Sequence, residues 1–146
     1  MNTIKIENFN IGTNSSPFVV GEAGINHNGE IGKALEMIEI AKKTGLNAIK
    51  FQTFKASEFI VDTTQTYTYK SQGKKITESM FEMFERCEFT KEEWYKIKRK
   101  CDQEKILFLS TPQNYSDLQL LLDLDVKAIK VGSDDLTNLP LLKKIL

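Results

Sequence analysis

A handful of residues stand where short apolar runs give way to polar ones, and their types suit the binding of an anion. Glu22 follows Phe18-Val19-Val20-Gly21, and Lys50 and Gln52 alternate with Ile49 and Phe51. Thr111 closes the run Ile106-Leu107-Phe108-Leu109-Ser110, and Lys130 and Ser133 fall within Ala128-Ile129-Lys130-Val131-Gly132-Ser133. Side chains of an extended segment alternate between two faces. Lys50 and Gln52 therefore oppose Ile49 and Phe51, Lys130 opposes Ile129 and Val131, and Glu22 opposes Gly21 and Ala23. Leu109 and Thr111 share a face. If the large apolar residues meet a layer of helices, Glu22, Lys50, Gln52 and Lys130 point to the opposite side, near the C-terminal ends of their strands. Two ammonium groups on one inward face are costly unless a negative group meets them. Glu22 neutralises at most one. A phosphate or carboxylate ligand would meet the other, helped by the Thr111 and Ser133 hydroxyls and by backbone N–H groups of the following turns. The alternative is that each lysine sits at a strand end and reaches water along its alkyl stem.

Other chemistry-bearing residues carry less. His27, the only histidine, lies in Asn26-His27-Asn28-Gly29. One histidine cannot build a His-rich metal site, so it reads as a hydrogen-bonding loop residue. Asp134-Asp135 is either a carboxylate pair for proton or hydroxyl handling or a solvated turn. Cys87 and Cys101 fit no metal or redox spacing and read as buried thiols. No Gly-rich nucleotide loop and no nucleophile–histidine pairing is present.

The elements that must position these residues are legible in the pattern. The four apolar runs are short, rich in β-branched and aromatic residues, and read as buried strands of a parallel sheet. Between them lie helical patterns. Ala34, Ile38 and Ala41 recur between Lys33 and Thr44, with Gly45 as a stop. Thr90-Lys91-Glu92-Glu93 is a capping box ahead of the stripe Trp94, Ile97, Cys101. Asn114 caps a helix carrying Leu118, Leu121 and Leu122, and Thr137 or Asn138 opens another from Leu139 to Leu146, with Pro140 in its first turn. Strand and helix alternating four times is an α/β pattern. Residues 1–16, with alternating Ile4 and Ile6 before a polar turn at Asn14-Ser15-Ser16-Pro17, read as a small hairpin or strand at the entrance to the fold. Lys55 to Glu88 is polar, holds Tyr67, Tyr69 and Gly73, and reads as a long loop that is functional, disordered or both. Ala-Ile-Lys occurs at both 48–50 and 128–130, as repeated βα units would produce.

Composition bounds the partners. The 146 residues balance 20 Lys+Arg against 20 Asp+Glu, which leaves no field for a nucleic-acid backbone. Charged residues at 27% together with nine Phe argue for a packed core rather than disorder. No apolar run is long enough for a membrane span, and the first residues lack a secretory pattern, so a soluble cytoplasmic chain is expected.

The motifs then become recognisable together. Gly21-Glu22-Ala23-Gly24-Ile25-Asn26-His27-Asn28-Gly29, Ile49-Lys50-Phe51-Gln52-Thr53, Leu109-Ser110-Thr111-Pro112 and Ile129-Lys130-Val131-Gly132-Ser133 occur in order. From about Pro17 to Leu146 the chain closely resembles the N-acetylneuraminate (sialic acid) synthase family, which includes legionaminic and pseudaminic acid synthases. The resemblance implies an α/β fold that is the N-terminal half of a (β/α)8 TIM barrel. On that reading 1–16 is the hairpin and 17–146 the first four βα units; a full barrel needs ~250 residues. The rest of the barrel and a C-terminal antifreeze-like domain would be missing, and the piece alone would be inactive.

Such enzymes condense phosphoenolpyruvate with an N-acylmannosamine-type sugar, with a divalent metal such as manganese, to give a nine-carbon 2-keto acid and phosphate. Carried over by motif, Lys50, Thr111, Lys130 and Ser133 would contact phosphoenolpyruvate, Gln52 and Asp135 would lie toward the sugar, and Glu22 would sit at the reacting centre as a candidate proton-handling group. The metal-binding histidines would come from later strands, and His27 is not one of them. The complete enzyme would be a homo-oligomer, a dimer. Two other readings stay open. One is a different phosphoenolpyruvate-dependent sugar synthase or an aldolase on the same barrel. The other is a non-catalytic half-barrel that binds a phosphorylated ligand or pairs with another chain.

Overall fold

The computed structural model describes residues 3–71 and 73–146, so Met1, Asn2 and Gln72, which fall within the expected hairpin and the expected loop, lie outside the described residues. In chain order the elements are β1 (Ile4–Ile6), β2 (Phe9–Ile11), β3 (Val20–Gly24), α1 (Ile31–Lys43), β4 (Ala48–Thr53), α2 (Ala56–Phe59), β5 (Thr66–Ser71), β6 (Lys74–Ser79), α3 (Met80–Arg86), α4 (Lys91–Glu104), β7 (Leu107–Pro112), α5 (Tyr115–Asp123) and α6 (Leu139–Ile145). β3, β4 and β7 form a parallel sheet in that order, joined by helical crossovers. This is the α/β architecture that the alternation of apolar runs and helical stripes implied.

The two faces of the sheet bury different things. Ile49, Phe51 and Phe108 pack against Ala34, Ile38 and Ala41 of α1, Trp94, Ile97 and Cys101 of α4, and Leu121 of α5. These are the stripes read from helical spacing. The capping box of α4 is formed, with the Thr90 hydroxyl accepting from the Glu93 N–H and the Glu93 carboxylate accepting from the Thr90 N–H at 2.8 Å. Asn114 caps α5, and Asn138 rather than Thr137 caps α6.

On the other face Ala48, Leu107 and Leu109 form a second apolar cluster with Ile6, Phe9, Phe18 and Ala128. β1 and β2 make an antiparallel hairpin, as residues 1–16 suggested, and Phe9 meets Phe18 edge-to-face at 5.2 Å. The hairpin therefore covers the beginnings of the strands on the inner face and leaves their C-terminal ends to polar residues.

Two expectations are corrected. The fourth apolar run is not a strand but a single parallel bridge, Ser110 to Ile129, supported by the Lys130 N–H donating to the Ser110 carbonyl at 3.1 Å. Among the described residues it makes only that bridge and that backbone bond to β7, so few ladder bonds offset the entropy of extending it. Lys55–Glu88 is not a plain loop. It holds α2, the antiparallel hairpin β5–β6 and α3, with Phe54, Phe59 and Phe84 packed edge-to-face at 5.0–5.8 Å. Thr66-Tyr67-Thr68-Tyr69 alternates as a strand does, and Gly73 takes the positive φ of 78° that the hairpin turn requires. Among the described residues no helix is long and apolar enough to cross a membrane.

Candidate functional site

Register decides which polar residues meet. Glu22 pairs with Lys50 across β3 and β4, and Gln52 pairs with Thr111 across β4 and β7. The Ser110–Ile129 bridge sets Lys130 level with Thr111, one residue on in each run. Glu22, Lys50, Gln52, Thr111 and Lys130 are thus brought onto the inner face at the C-terminal ends of the strands. Parallel α/β folds put ligands at that end, where side chains and turn N–H groups converge.

The charges are arranged unequally. Lys50 is largely buried, 14% exposed, and its Nζ lies 2.5 Å from Oε2 of Glu22, which is itself 55% exposed. Lys130 is exposed and has no ion-pair partner among the described residues. One carboxylate neutralises one lysine, and one positive charge is left on the face.

The hydroxyls divide in the same way. Thr53 and Ser110 are buried on the helix side, 2.7 Å apart, with Ser110 also donating to the Phe51 carbonyl. Their hydrogen bonding is complete within the fold. Thr111 is 2% exposed and its Oγ1 has no partner among the described residues. A buried hydroxyl without a partner costs roughly 1–3 kcal/mol, and this one stands beside Gln52 and Lys130.

Ser133 is exposed in the turn that follows, and Asp135 is half-buried. The Asp135 carboxylate accepts from the Asn138 side-chain amide at 3.0 Å, and so helps hold the start of α6. With Asp134, Glu58, Asn114 and Lys144 it lines a cleft of about 560 Å³ to which Lys50, Gln52, Thr111 and Lys130 do not contribute. The structure thus sets Asp135 apart from the inner-face group.

His27 is completely buried. Its Nδ1 accepts from the Gly29 N–H at 3.1 Å and its ring stacks on Phe89 at 4.2 Å, the hydrogen-bonding loop role expected of it. Burial pushes its pKa down to about 4. Sequence reasoning missed Asp117. It is 3% exposed, and burial, reinforced by the negative charge of Glu58, raises its carboxyl to about 7 against the hydrogen bonds from the Gln113 and Asn114 backbone. Asn114-x-x-Asp117 is a helix-start pattern in the sequence, but the burial that makes the carboxyl unusual comes from packing. Burial also raises both thiols, Cys101 to about 12. Among the described residues no group of three or more His, Cys, Asp or Glu side chains could hold a metal ion.

Comparison with known proteins adds an independent finding. The NeuB family profile matches residues 37–146. The chain is 33% identical over 132 residues to the N,N'-diacetyllegionaminic acid synthase of Legionella pneumophila, covering 90% of this chain and 37% of that protein. It is 35% identical over 127 residues to the synthase of the same name from Campylobacter jejuni, covering 87% of this chain and 38% of that one. Its fold superposes with TM-score 0.83 and 30% identity on the N-acetylneuraminic acid synthetase of Leptospira borgpetersenii in complex with citrate, covering 97% of this chain and 45% of that chain. The chain spans less than two-fifths of the length of these two curated relatives.

Proposed function

Because this chain belongs to the NeuB family, we propose that it forms the N-terminal half of the (β/α)8 barrel of a nonulosonic acid synthase and supplies the phosphoenolpyruvate side of its active site. The observation that carries this reading is the pairing of an unpartnered buried hydroxyl, Thr111, with an uncompensated ammonium group, Lys130, at the same strand ends. Both needs are answered by one doubly anionic ligand.

In this reading Lys50 and Lys130 hold the phosphate and carboxylate of phosphoenolpyruvate, with Thr111 and Ser133 donating hydroxyl hydrogen bonds. Glu22 fixes Lys50 and stands at the reacting centre to handle a proton. Gln52 faces the N-acylmannosamine-type sugar, while Asp135, held by Asn138 in a separate cleft, is given no contact with it. C3 of phosphoenolpyruvate attacks the open-chain aldehyde carbon, whose oxygen takes up a proton. Water adds at C2, and the tetrahedral intermediate expels phosphate with cleavage of the C2–O bond. The products are a nine-carbon 2-keto acid and inorganic phosphate. This chain's residues contribute chiefly by holding C3 against the aldehyde. The divalent metal, manganese or similar, is proposed with its ligands outside this chain, since the described residues offer it no set. The enzyme is read as a cytoplasmic homodimer, and the 146 residues alone as inactive.

The test uses the intact protein that carries this chain. With a divalent metal, phosphoenolpyruvate and an acylated mannosamine-type sugar it is expected to release phosphate; no release with any such sugar overturns the reading. Lys130→Ala should abolish phosphoenolpyruvate binding measured by calorimetry, and unchanged binding removes its assigned role. Thr111→Val, which keeps the shape and deletes the hydroxyl, should raise the KM for phosphoenolpyruvate about 10-fold or more, the worth of a hydrogen bond to a charged group.

A further inference from the structure

His27 is completely buried, and burying a histidine here has a cost that an apolar residue would not carry. Its Nδ1 accepts from the Gly29 N–H at 3.1 Å, so the ring proton of the uncharged imidazole sits on Nε2. That N–H meets no partner among the described residues. A buried donor without an acceptor is unfavourable, and a phenylalanine at this position would avoid it. What the imidazole has and an apolar ring lacks is the Nδ1 acceptor, and the core holds that acceptor in place. The ring stacks on Phe89 with centroids 4.2 Å apart and lies 6.0 Å from Phe51, the strand residue next to Lys50.

The bond to Gly29 closes a tight turn between β3 and α1. Gly24, Asn28 and Gly29 take φ of 52°, 53° and 75°. The Asn28 N–H donates to the Ile25 carbonyl at 3.0 Å, and the Glu30 N–H donates to the His27 carbonyl at 2.9 Å. Asn26 reaches back toward the strand: its backbone N–H and its side-chain amide both donate to the Ala23 carbonyl, at 3.0 and 2.9 Å. Ala23 is the extra residue of a β-bulge, because Glu22 pairs with Lys50 and Gly24 with Phe51. Bulges re-aim the side chains beside them, and this one follows directly on the carboxylate whose Oε2 lies 2.5 Å from Lys50 Nζ. Oε1 of Glu22 lies 3.6 Å from the point where a Cβ on Gly24 would stand, so the glycine also leaves the carboxylate room.

We propose that His27 is a positioning residue for the Glu22–Lys50 pair: its anchored ring closes the β3–α1 turn through Gly29, and the turn, through Asn26 and the Ala23 carbonyl, sets the bulge that aims Glu22. The histidine serves geometry, with no proton transferred and no ligand bound by its ring. The inference rests on the synthase reading for what the pair does in a reaction, while the pair itself is a feature of the fold.

Variants of the intact protein test it. His27→Phe keeps a ring and deletes the acceptor, whereas His27→Asn puts an amide oxygen where Nδ1 stands. Acetylation of single lysines by acetic anhydride, followed by peptide mass spectrometry, reads the pair directly. Lys50 should react about 3-fold or more faster in His27→Phe and near the wild-type rate in His27→Asn, while Lys100, held by Glu39 and Glu104, is unchanged. Asn26→Ala, at an exposed residue, should also speed Lys50 acetylation, and it carries the test if His27→Phe does not fold. Phosphate release should fall about 10-fold or more in His27→Phe and recover in His27→Asn; in a Glu22→Gln background the same change should cost less than about 2-fold, because the carboxylate it positions is already gone. Lys50 acetylation at the wild-type rate in whichever of His27→Phe and Asn26→Ala fold overturns the proposal, as does an undiminished activity loss in the Glu22→Gln background. A wild-type protein that releases no phosphate, while its Lys50 acetylation still responds to His27→Phe, overturns the synthase reading and keeps the positioning role.

Discussion

Two buried titratable side chains give the chain opposing responses to pH. His27 titrates at about 4 in the fold against an ordinary 6.5, so the unfolded chain takes up its proton first as pH falls. Its neutral burial stabilises the fold above 6.5, and that stability is lost as pH falls through 4, by roughly 3 kcal/mol in all. Asp117 has the opposite sign. Raised from 3.8 to about 7, its protonated form stabilises the fold below 3.8, and the effect fades as pH rises through 7. The same window thus carries two slopes that oppose each other. Because the chain has one histidine, its ring signals are directly assignable. They should not shift between pH 8 and 5, and a midpoint near 6.5 would contradict the burial. In urea denaturation Asp117→Asn should make the fold gain stability from pH 4 to 7 relative to the unsubstituted chain, because only the His27 slope remains. At this scale the sequence marked Glu22, Lys50, Gln52 and Lys130 as facing one way, since alternation needs no knowledge of neighbours, while Thr111 joins them only through the β4–β7 register. It could not show that Thr111 lacks a partner while Ser110 and Thr53 have each other.

Elements are held to one another at a few close backbone approaches, and Gly29 is the sharpest. It has φ of 75°, and a Cβ there would lie 2.0 Å from the Arg86 carbonyl at the end of α3. Gly45, with φ of 83°, has nothing within 4 Å of its would-be Cβ. Both positions carry the left-handed backbone cost of roughly 1–2 kcal/mol for a side chain. Gly45→Ala should lose about that much by thermal melting. Gly29→Ala should lose clearly more, because α3 and the β5–β6 hairpin behind it must shift. Equal losses would mean that α3 is not docked on the β3–α1 turn. The helices were legible because their stripes and caps are local. The segment 55–88 was not, although Thr66-Tyr67-Thr68-Tyr69 alternates as a strand does, since its two strands pair only with each other, apart from the main sheet. The fourth run was read as a strand because its composition suits one, but a strand is made by neighbours on the sheet.

The molecule as a whole is divided along the inner face of its sheet, apolar where the strands begin and polar where they end. The β1–β2 hairpin maintains the first half by covering Ala48, Leu107, Leu109 and Ala128. Phe9→Ala should cost about 3 kcal/mol, as burying and deleting an aromatic ring does, and should increase binding of a hydrophobic dye. Unchanged stability would show the hairpin to be an ornament of the fold. The sequence by itself determined the α/β class, the helix-facing stripes and the polar set at the strand ends, because period and parity are properties of a local chain. It also carried the family, through four motifs in order. The tertiary structure alone decided that Lys50 is neutralised and Lys130 is not, and that Asp135 turns to the start of α6. Those outcomes depend on register and on contacts between residues far apart in the chain, where distance and desolvation, rather than residue type, set the energy.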